Sequence, residues 1–273
     1  KPDVYKASVL LSPTSSDGGG GMGALAGQFG GLASLAGISL GGGGTDKTAL
    51  ALEIIKSRAF LETYITKHEL LVPLMAAKKW DRVEKKLILD HEIYDQNTGK
   101  WLREVSYPKT AEPSQWEAYQ TLLKLITIAQ DNTTSLVIID MEFYSPEIAK
   151  QWLIWLVSDV NNFMREKDEK EAQASIDYLT NQLEKTEISA METVFYQLIE
   201  EQTKNMMLTK VSAEYVLKTI DPAQVPEIKA GPKRALIVLL GTMLGSILSV
   251  LIVLIRYFTN SSKSTKTKED ILA

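Results

Sequence analysis

The chain has 273 residues, a net charge of −4 and no cysteine. The length allows one sizeable domain with an anchor, and the acidic balance argues against a nucleic-acid partner. The lack of cysteine excludes disulfides and thiolate metal sites and leaves the redox compartment open.

No signal peptide is visible, because Lys1-Pro2-Asp3 leads straight into an apolar run. The first residue is not Met, which predicts a trimmed chain with sequence upstream. Residues 4–11 (VYKASVLL) read as a strand closed by Ser12-Pro13. Residues 17–44 are glycine-rich, with tetrads at 18–21 and 41–44. Glycine at this density costs backbone entropy in any regular element, which predicts a long flexible loop. The sharper alternative is that Leu25, Phe29, Leu32, Leu35 and Ile38 pack on a neighbouring subunit or touch a membrane surface. A phosphate loop, GxxxxGK(S/T), is almost matched from Gly41 to Thr48. Asp46 stands in its second glycine position before Lys47-Thr48, and an acid there repels phosphate. Thr45 reads instead as the cap of a helix starting near Asp46.

Residues 46–68 have helical spacing (Leu50, Ile54, Phe60, Leu61, Tyr64, Ile65), broken by Val72-Pro73. Residues 76–90 are mixed and charged and fit a helix or a loop. Asn97-Thr98-Gly99 is a turn signal. Ser114 and Glu117 form a capping box, opening a helix whose apolar face is Tyr119, Leu122, Leu123 and Ile126. Residues 126–129 and 136–144 read as a strand hairpin around 131–134. Met141, Phe143 and Ser145 alternate with Asp140, Glu142 and Tyr144, so one face is partly wet.

Ser145-Pro146-Glu147 is a strong helix start. No Gly or Pro follows until after Ile220. Apolar residues recur at Ile148, Trp152, Leu156, Val160 and Phe163, then at Ala172, Ile176, Leu179 and Leu183. One helix over the whole run would reach about 110 Å. A second capping box, Ser189-Ala190-Met191-Glu192, predicts a break near 186–189. The result is an antiparallel hairpin with arms of about 60 and 48 Å, a single rod being the alternative. With Ile148, Trp152 and Leu156 closing the hairpin foot on the base, Phe195, Leu198 and Met206 are left over. They are expected to contact neighbouring copies.

The run at 235–255 carries no charge over a length of about 30 Å as a helix, the thickness of a bilayer core, and is expected to span a membrane. Lys233 and Arg234 flank one end, Arg256 and Tyr257 the other. Gly241 and Gly245 put two small residues on one face, which suits close helix contact in lipid. Lys263, Lys266 and Lys268 mark a short flexible tail. No catalytic residue, metal ligand or cofactor site is assigned. His68 and His91 are the only histidines; His91 lies between Asp90 and Glu92, but adjacent side chains point apart and do not converge without further ligands.

A strand, then SPEIAKQW opening a long helix, then LIEEQTKNMMLTKVSAEYVLKTIDPAQVPE, then a Pro-Lys-flanked apolar helix with Gly241 and Gly245: this order resembles the bacterial polysaccharide co-polymerases, the Wzz-type chain-length determinants. The resemblance covers nearly the whole chain and is strongest over 136–256. It implies an α+β fold with a periplasmic α/β base (1–144) and an extended helical arm (145–221). A Pro-rich return (222–234), a transmembrane helix (235–256) and a cytoplasmic tail (257–273) follow. The first membrane helix of the family is missing from this chain. The family's membrane motif falls on Pro222, Pro226, Pro232, Lys233, Gly241 and Gly245.

The resemblance further implies a ring-shaped homo-oligomer in the bacterial inner membrane, in contact with lipid and mostly periplasmic. Such a protein is not an enzyme and uses no cofactor. It sets the chain length of lipopolysaccharide O-antigen together with a separate polymerase and lipid-linked polysaccharide. A co-polymerase for capsule or exopolysaccharide export is the alternative; a glycan hydrolase or phosphatase is a third reading that no constellation supports. The short stretch after Arg256 points to the non-kinase class.

Overall fold

The computed structural model describes residues 2–14, 44–186, 189–211, 214–235, 238–249 and 251–252. The expectations for the glycine-rich segment, and the cap by Thr45, lie outside the described residues and side chains. In chain order, β1 (Val4–Pro13) is followed by helices α1 (Gly44–Lys56), α2 (Arg58–Lys67) and α3 (Leu71–Ala76). Two small hairpins come next, β2 (Ala77–Asp81) with β3 (Lys86–Leu89), and β4 (Tyr94–Asp95) with β5 (Lys100–Trp101). Then come α4 (Gln115–Leu125), β6 (Ile126–Gln130), β7 (Val137–Phe143), α5 (Pro146–Glu184), α6 (Ser189–Val211), β8 (Leu217–Asp221) and β9 (Lys229–Gly231). The chain divides after Lys229 into two units.

In the larger unit four antiparallel strands stand in the order β6-β7-β1-β8. Alternation decides which face is covered. Tyr5, Ala7, Val9 and Leu11 of β1 are buried, as are Val137, Ile139, Met141 and Phe143 of β7. The register Tyr5↔Phe143, Ala7↔Met141, Val9↔Ile139 puts these two rows side by side on one face. The first half of α5 covers that face with Ala149, Trp152, Leu153, Leu156, Val157, Val160 and Met164. Helices α1, α2 and α4 complete the core with Ala51, Ile55, Phe60, Leu61, Tyr64, Ile65, Ala118 and Leu122. The opposite face is wetter, as its Asp140, Glu142 and Lys6 foretell: Lys6 pairs with Asp140 at 2.9 Å and Ile138 is exposed.

Local capping chemistry places several elements where the sequence puts them. The Ser114 side chain accepts from the Glu117 amide while the Glu117 carboxylate accepts from the Ser114 amide. Ser145 accepts from the Ile148 amide ahead of α5. Gly99 takes φ +68 in the β4–β5 turn, a conformation that glycine adopts without steric cost.

Four expectations are corrected. The helix over 46–68 is two helices, because Ser57 leaves the helical region and caps α2 from its side chain. Pro73 does not end helical structure; it lies in the first turn of α3, where its missing N–H is harmless. Residues 77–89 are a strand hairpin rather than helix or loop: Trp80 stands opposite Leu87 and Lys79 opposite Ile88 across the two strands. The helical run does not reach Ile220: α6 ends at Val211, and Leu217–Asp221 pairs with the open edge of β1. That edge outcompetes further helix because it offers unpaired backbone groups from about 200 residues away in sequence.

The long helix does break where the second start signal falls. At 1.5 Å per residue, α5 is about 58 Å long and α6 about 35 Å. The two pack on each other. The free arm starts later than residue 145, because α5 is rooted in the sheet core as far as Met164.

In the smaller unit, residues 234–235, 238–249 and 251–252 are helical. Among the described residues no helix is long and apolar enough to cross a membrane. Positions 236–237, 250 and 253–255 of the expected span lie outside the described residues.

Candidate functional site

The root of the arm holds a buried and fully bonded polar side chain, Asn161. Asn161 sits in the apolar stripe of α5 at 2% exposure. Its Oδ1 accepts from the backbone amides of Val216 (2.8 Å) and Leu217 (3.0 Å). Its Nδ2 donates to the carbonyls of Leu217 (3.0 Å) and Val157 (3.1 Å). One amide side chain thus imitates a strand edge and captures the chain as it returns from the arm. Thr14, at the end of β1, closes the other side: its amide donates to the Val216 carbonyl at 2.9 Å and its hydroxyl to the Tyr215 carbonyl at 2.6 Å.

Two turns of α5 beyond this clamp, Asp168 accepts from the Tyr215 hydroxyl (2.6 Å) and pairs with Lys47 of α1 (2.6 Å). Lys47 also donates to the Tyr215 hydroxyl at 3.1 Å. Burial works against the Lys47 ammonium, but its bonds to Asp168 and Tyr215 outweigh this and raise its pKa. The lysine of the near-match to a phosphate loop is therefore engaged in tying α1 to the arm. Lower on α5, Asp159 receives Lys67 (2.7 Å) and His68 (2.8 Å) from the end of α2. His68 stacks on Trp155 at 4.4 Å between ring centres, and Tyr64 donates to the Trp152 carbonyl at 2.7 Å. Burial, then the Asp159 charge, pushes the Tyr64 phenol pKa up.

These are joints between elements. His91 is exposed, and no group of three or more metal-ligating side chains gathers among the described residues. Elsewhere Arg103 fastens the loop before α4, donating to Glu117 and to the carbonyls of Thr110 (3.0 Å) and Ala111 (2.8 Å). The Arg103 guanidinium beside Glu117 holds that carboxyl at about 2, with the Ser114 amide and Lys109 assisting.

Above the root, residues 165, 168, 172, 175, 179 and 182 of α5 are buried or half-buried, with 176 and 183 half-buried beside them. Steps of four and three residues mark a coiled-coil seam against α6. Phe195, Leu198 and Met206 are half-buried on α6. The large apolar residues most exposed on that helix are Met191, Tyr196, Met207 and Leu208, and Tyr178 is exposed on α5. Of the residues assigned to the membrane motif, Pro222 and Lys233 are exposed and Pro226 and Pro232 half-buried. Nothing lies within 4 Å of where a Cβ would stand at Gly241 or Gly245, which leaves both small residues open on one helix face. Around them Val238, Leu239, Met243, Leu244, Ile247 and Leu248 are exposed. The hydroxyls of Thr242 and Ser246 turn back onto the carbonyls of Leu239 and Thr242.

Sequence reasoning missed Asn161, Asp168 and Tyr215. The signal for the first was present: an amide between Val157, Val160 and Met164 breaks an otherwise apolar stripe, and such a group must be satisfied.

Residues 182–258 match the family model described as "GNVR: G-rich domain on putative tyrosine kinase". The match takes in the end of α5, α6, β8, the Pro-rich return and the whole apolar run. Among solved structures the chain is similar to a fragment of WzzB, a polysaccharide co-polymerase from Salmonella Typhimurium. The identity is 12% and the TM-score 0.35, over 84% of this chain and 100% of that one. None of the curated proteins matches the chain.

Proposed function

We propose that this chain is a co-polymerase that sets the length of O-antigen polysaccharide, standing in the bacterial inner membrane as a ring of identical copies. The reading is supported chiefly by one arrangement. A two-helix arm rises from an α/β base, and its return passes through a GNVR-matched segment into an uncharged run flanked by Lys233 and Arg234. On this reading residues 235–255 anchor the chain, the base and arm are periplasmic, and the tail is cytoplasmic. The protein performs no chemistry on the glycan. It holds a separate polymerase and the lipid-linked polymer while the chain grows, and the duration of that engagement fixes the length. Tyr196, Met207 and Leu208 leave large apolar side chains exposed on the arm for a neighbouring copy.

Deleting the gene and resolving lipopolysaccharide on a gel tests this. A changed modal length is expected, restored by the wild-type gene. An unchanged length distribution refutes the role, and loss of capsule with normal lipopolysaccharide would assign the protein to capsule or exopolysaccharide assembly instead.

A further inference from the structure

The β2–β3 hairpin is a basic projection on an acidic protein. Residues 77–89 hold Lys78, Lys79, Arg82, Lys85 and Lys86 against Asp81 and Glu84, in a chain whose net charge is −4. All five cations are exposed. At the apex stands an apolar side chain, Val83, 93% exposed. The apex is held in shape. The Asp81 carboxylate accepts from the amides of Val83 (2.8 Å) and Glu84 (3.1 Å), and Lys85 turns the chain at φ +50. These amides, Glu84 first, also pull the Asp81 pKa down.

The position of this tip is fixed by two contacts of Arg82. Arg82 pairs with Asp3 at 3.2 Å and lies over the Tyr5 ring at 5.5 Å. The other oxygen of Asp3 receives Lys229, also at 3.2 Å. The tip is thereby held at the start of β1. The end of β1 is at the arm root, where Thr14 meets Tyr215 and Val216. With 10 residues at about 3.3 Å each, β1 separates the two by about 33 Å. The basic tip and the arm therefore occupy opposite ends of the sheet.

We infer that the β2–β3 tip docks on an anionic lipid surface, with Val83 entering the headgroup layer and Lys79, Lys85 and Lys86 facing lipid phosphates. This rests on the reading above that 235–255 is a membrane anchor. Lys229, tied to the same Asp3, precedes Ala235 by six positions, about 21 Å of extended chain. An apolar apex inside a basic collar suits an interface where apolar groups sink to the acyl boundary and cations stay at phosphate level. The contact would set the height and tilt of the base above the bilayer.

The chain has no cysteine, so Val83→Cys accepts a single environment-sensitive dye. The labelled full chain is reconstituted into vesicles of neutral lipid, or of neutral lipid with about one third anionic lipid. Quenching by nitroxide-bearing lipid is read, with a Tyr178→Cys label on the arm as reference. Strong quenching at position 83 in anionic vesicles, weak quenching in neutral ones, and none at 178 is expected. Lys79→Gln/Lys85→Gln/Lys86→Gln should lower the docked-to-free ratio roughly a hundredfold, at about fivefold per lysine. Equal quenching in both vesicle types would overturn the anionic partner. A protein that floats with vesicles yet leaves position 83 unquenched would overturn the docking alone. Failure to float with vesicles after an alkaline wash would overturn the anchor and the docking together.

Discussion

Replacing Asn161 by Ala is the sharpest test of how the arm is held. The substitution removes three bonds to the returning chain, two accepted from the amides of Val216 and Leu217 and one donated to the Leu217 carbonyl. Val216 is 3% exposed and Leu217 0%, so water does not replace the lost partners. A buried backbone group left unsatisfied costs about 1–3 kcal/mol, and the three share one site and do not add in full, so about 3 kcal/mol is expected. At 1.4 kcal/mol per tenfold, that is on the order of a hundredfold rise in the opening of β8. Hydrogen exchange on the full chain in detergent reads this directly. The Val216 and Leu217 amides should exchange about a hundredfold faster, while Ile139 and Met141, on the other side of β1, change far less. Asn161→Asp keeps both acceptors but loses the donors and buries a charge, so it should open β8 at least as much at neutral pH. Exchange at 216 and 217 within about threefold of wild type would refute the clamp.

Three further outcomes follow from contacts on other elements. Glu117 has its pKa lowered from 4.5 to about 2, so the stability it confers is complete above about pH 4.5 and is lost as pH falls towards 2; acid unfolding followed by tryptophan fluorescence should show this slope, and Glu117→Gln should flatten it. Tyr215→Phe removes the hydroxyl shared by Asp168 and Lys47, and urea unfolding should show a loss of about 1 kcal/mol. Met207→Asp with Leu208→Asp alters exposed positions, so it should weaken oligomers on sizing in detergent while leaving helix content unchanged. Asp at the half-buried Phe195 or Leu198 would disturb the seam of the arm as well, making the outer pair the cleaner probe.

What the sequence made legible is mostly chemistry that acts over three or four residues. Ser114 with Glu117 and Ser145 with Ile148 announce their helices because the cap and the amide it satisfies are neighbours. Helix α6 begins at Ser189. The β6–β7 hairpin follows from two β-rich runs around a turn where Asp131 accepts from Thr133. What was hidden depends on distant partners. Residues 211–220 keep helical spacing, yet an edge of β1 and the side chain of Asn161 turn their latter part into β8. The β2–β3 hairpin was obscured by its charge, because half of its side chains stay in water. The joints at Asp168 and Asp159 draw on residues some 90 to 120 positions away, which no local pattern encodes.

The arm also has a length rule. Beyond Asn161, residues 162–184 of α5 are as many as the 23 of α6. The ascent and the descent therefore match, and the chain comes back level with Asn161, where Val216 and Leu217 are bound. Adding seven residues to both helices, after Ala172 in α5 and at the facing level in α6, keeps the seam in phase and should lengthen the arm by about 10 Å. The clamp amides should then retain their slow exchange. Adding seven residues to α6 alone returns the chain one heptad out of register, so Val216 misses Asn161 and its amide should exchange as fast as in Asn161→Ala. Equal protection in the single and the paired insertions would mean that the connection from α6 to β8 absorbs the mismatch, and that helix length does not govern how the arm is set on its base.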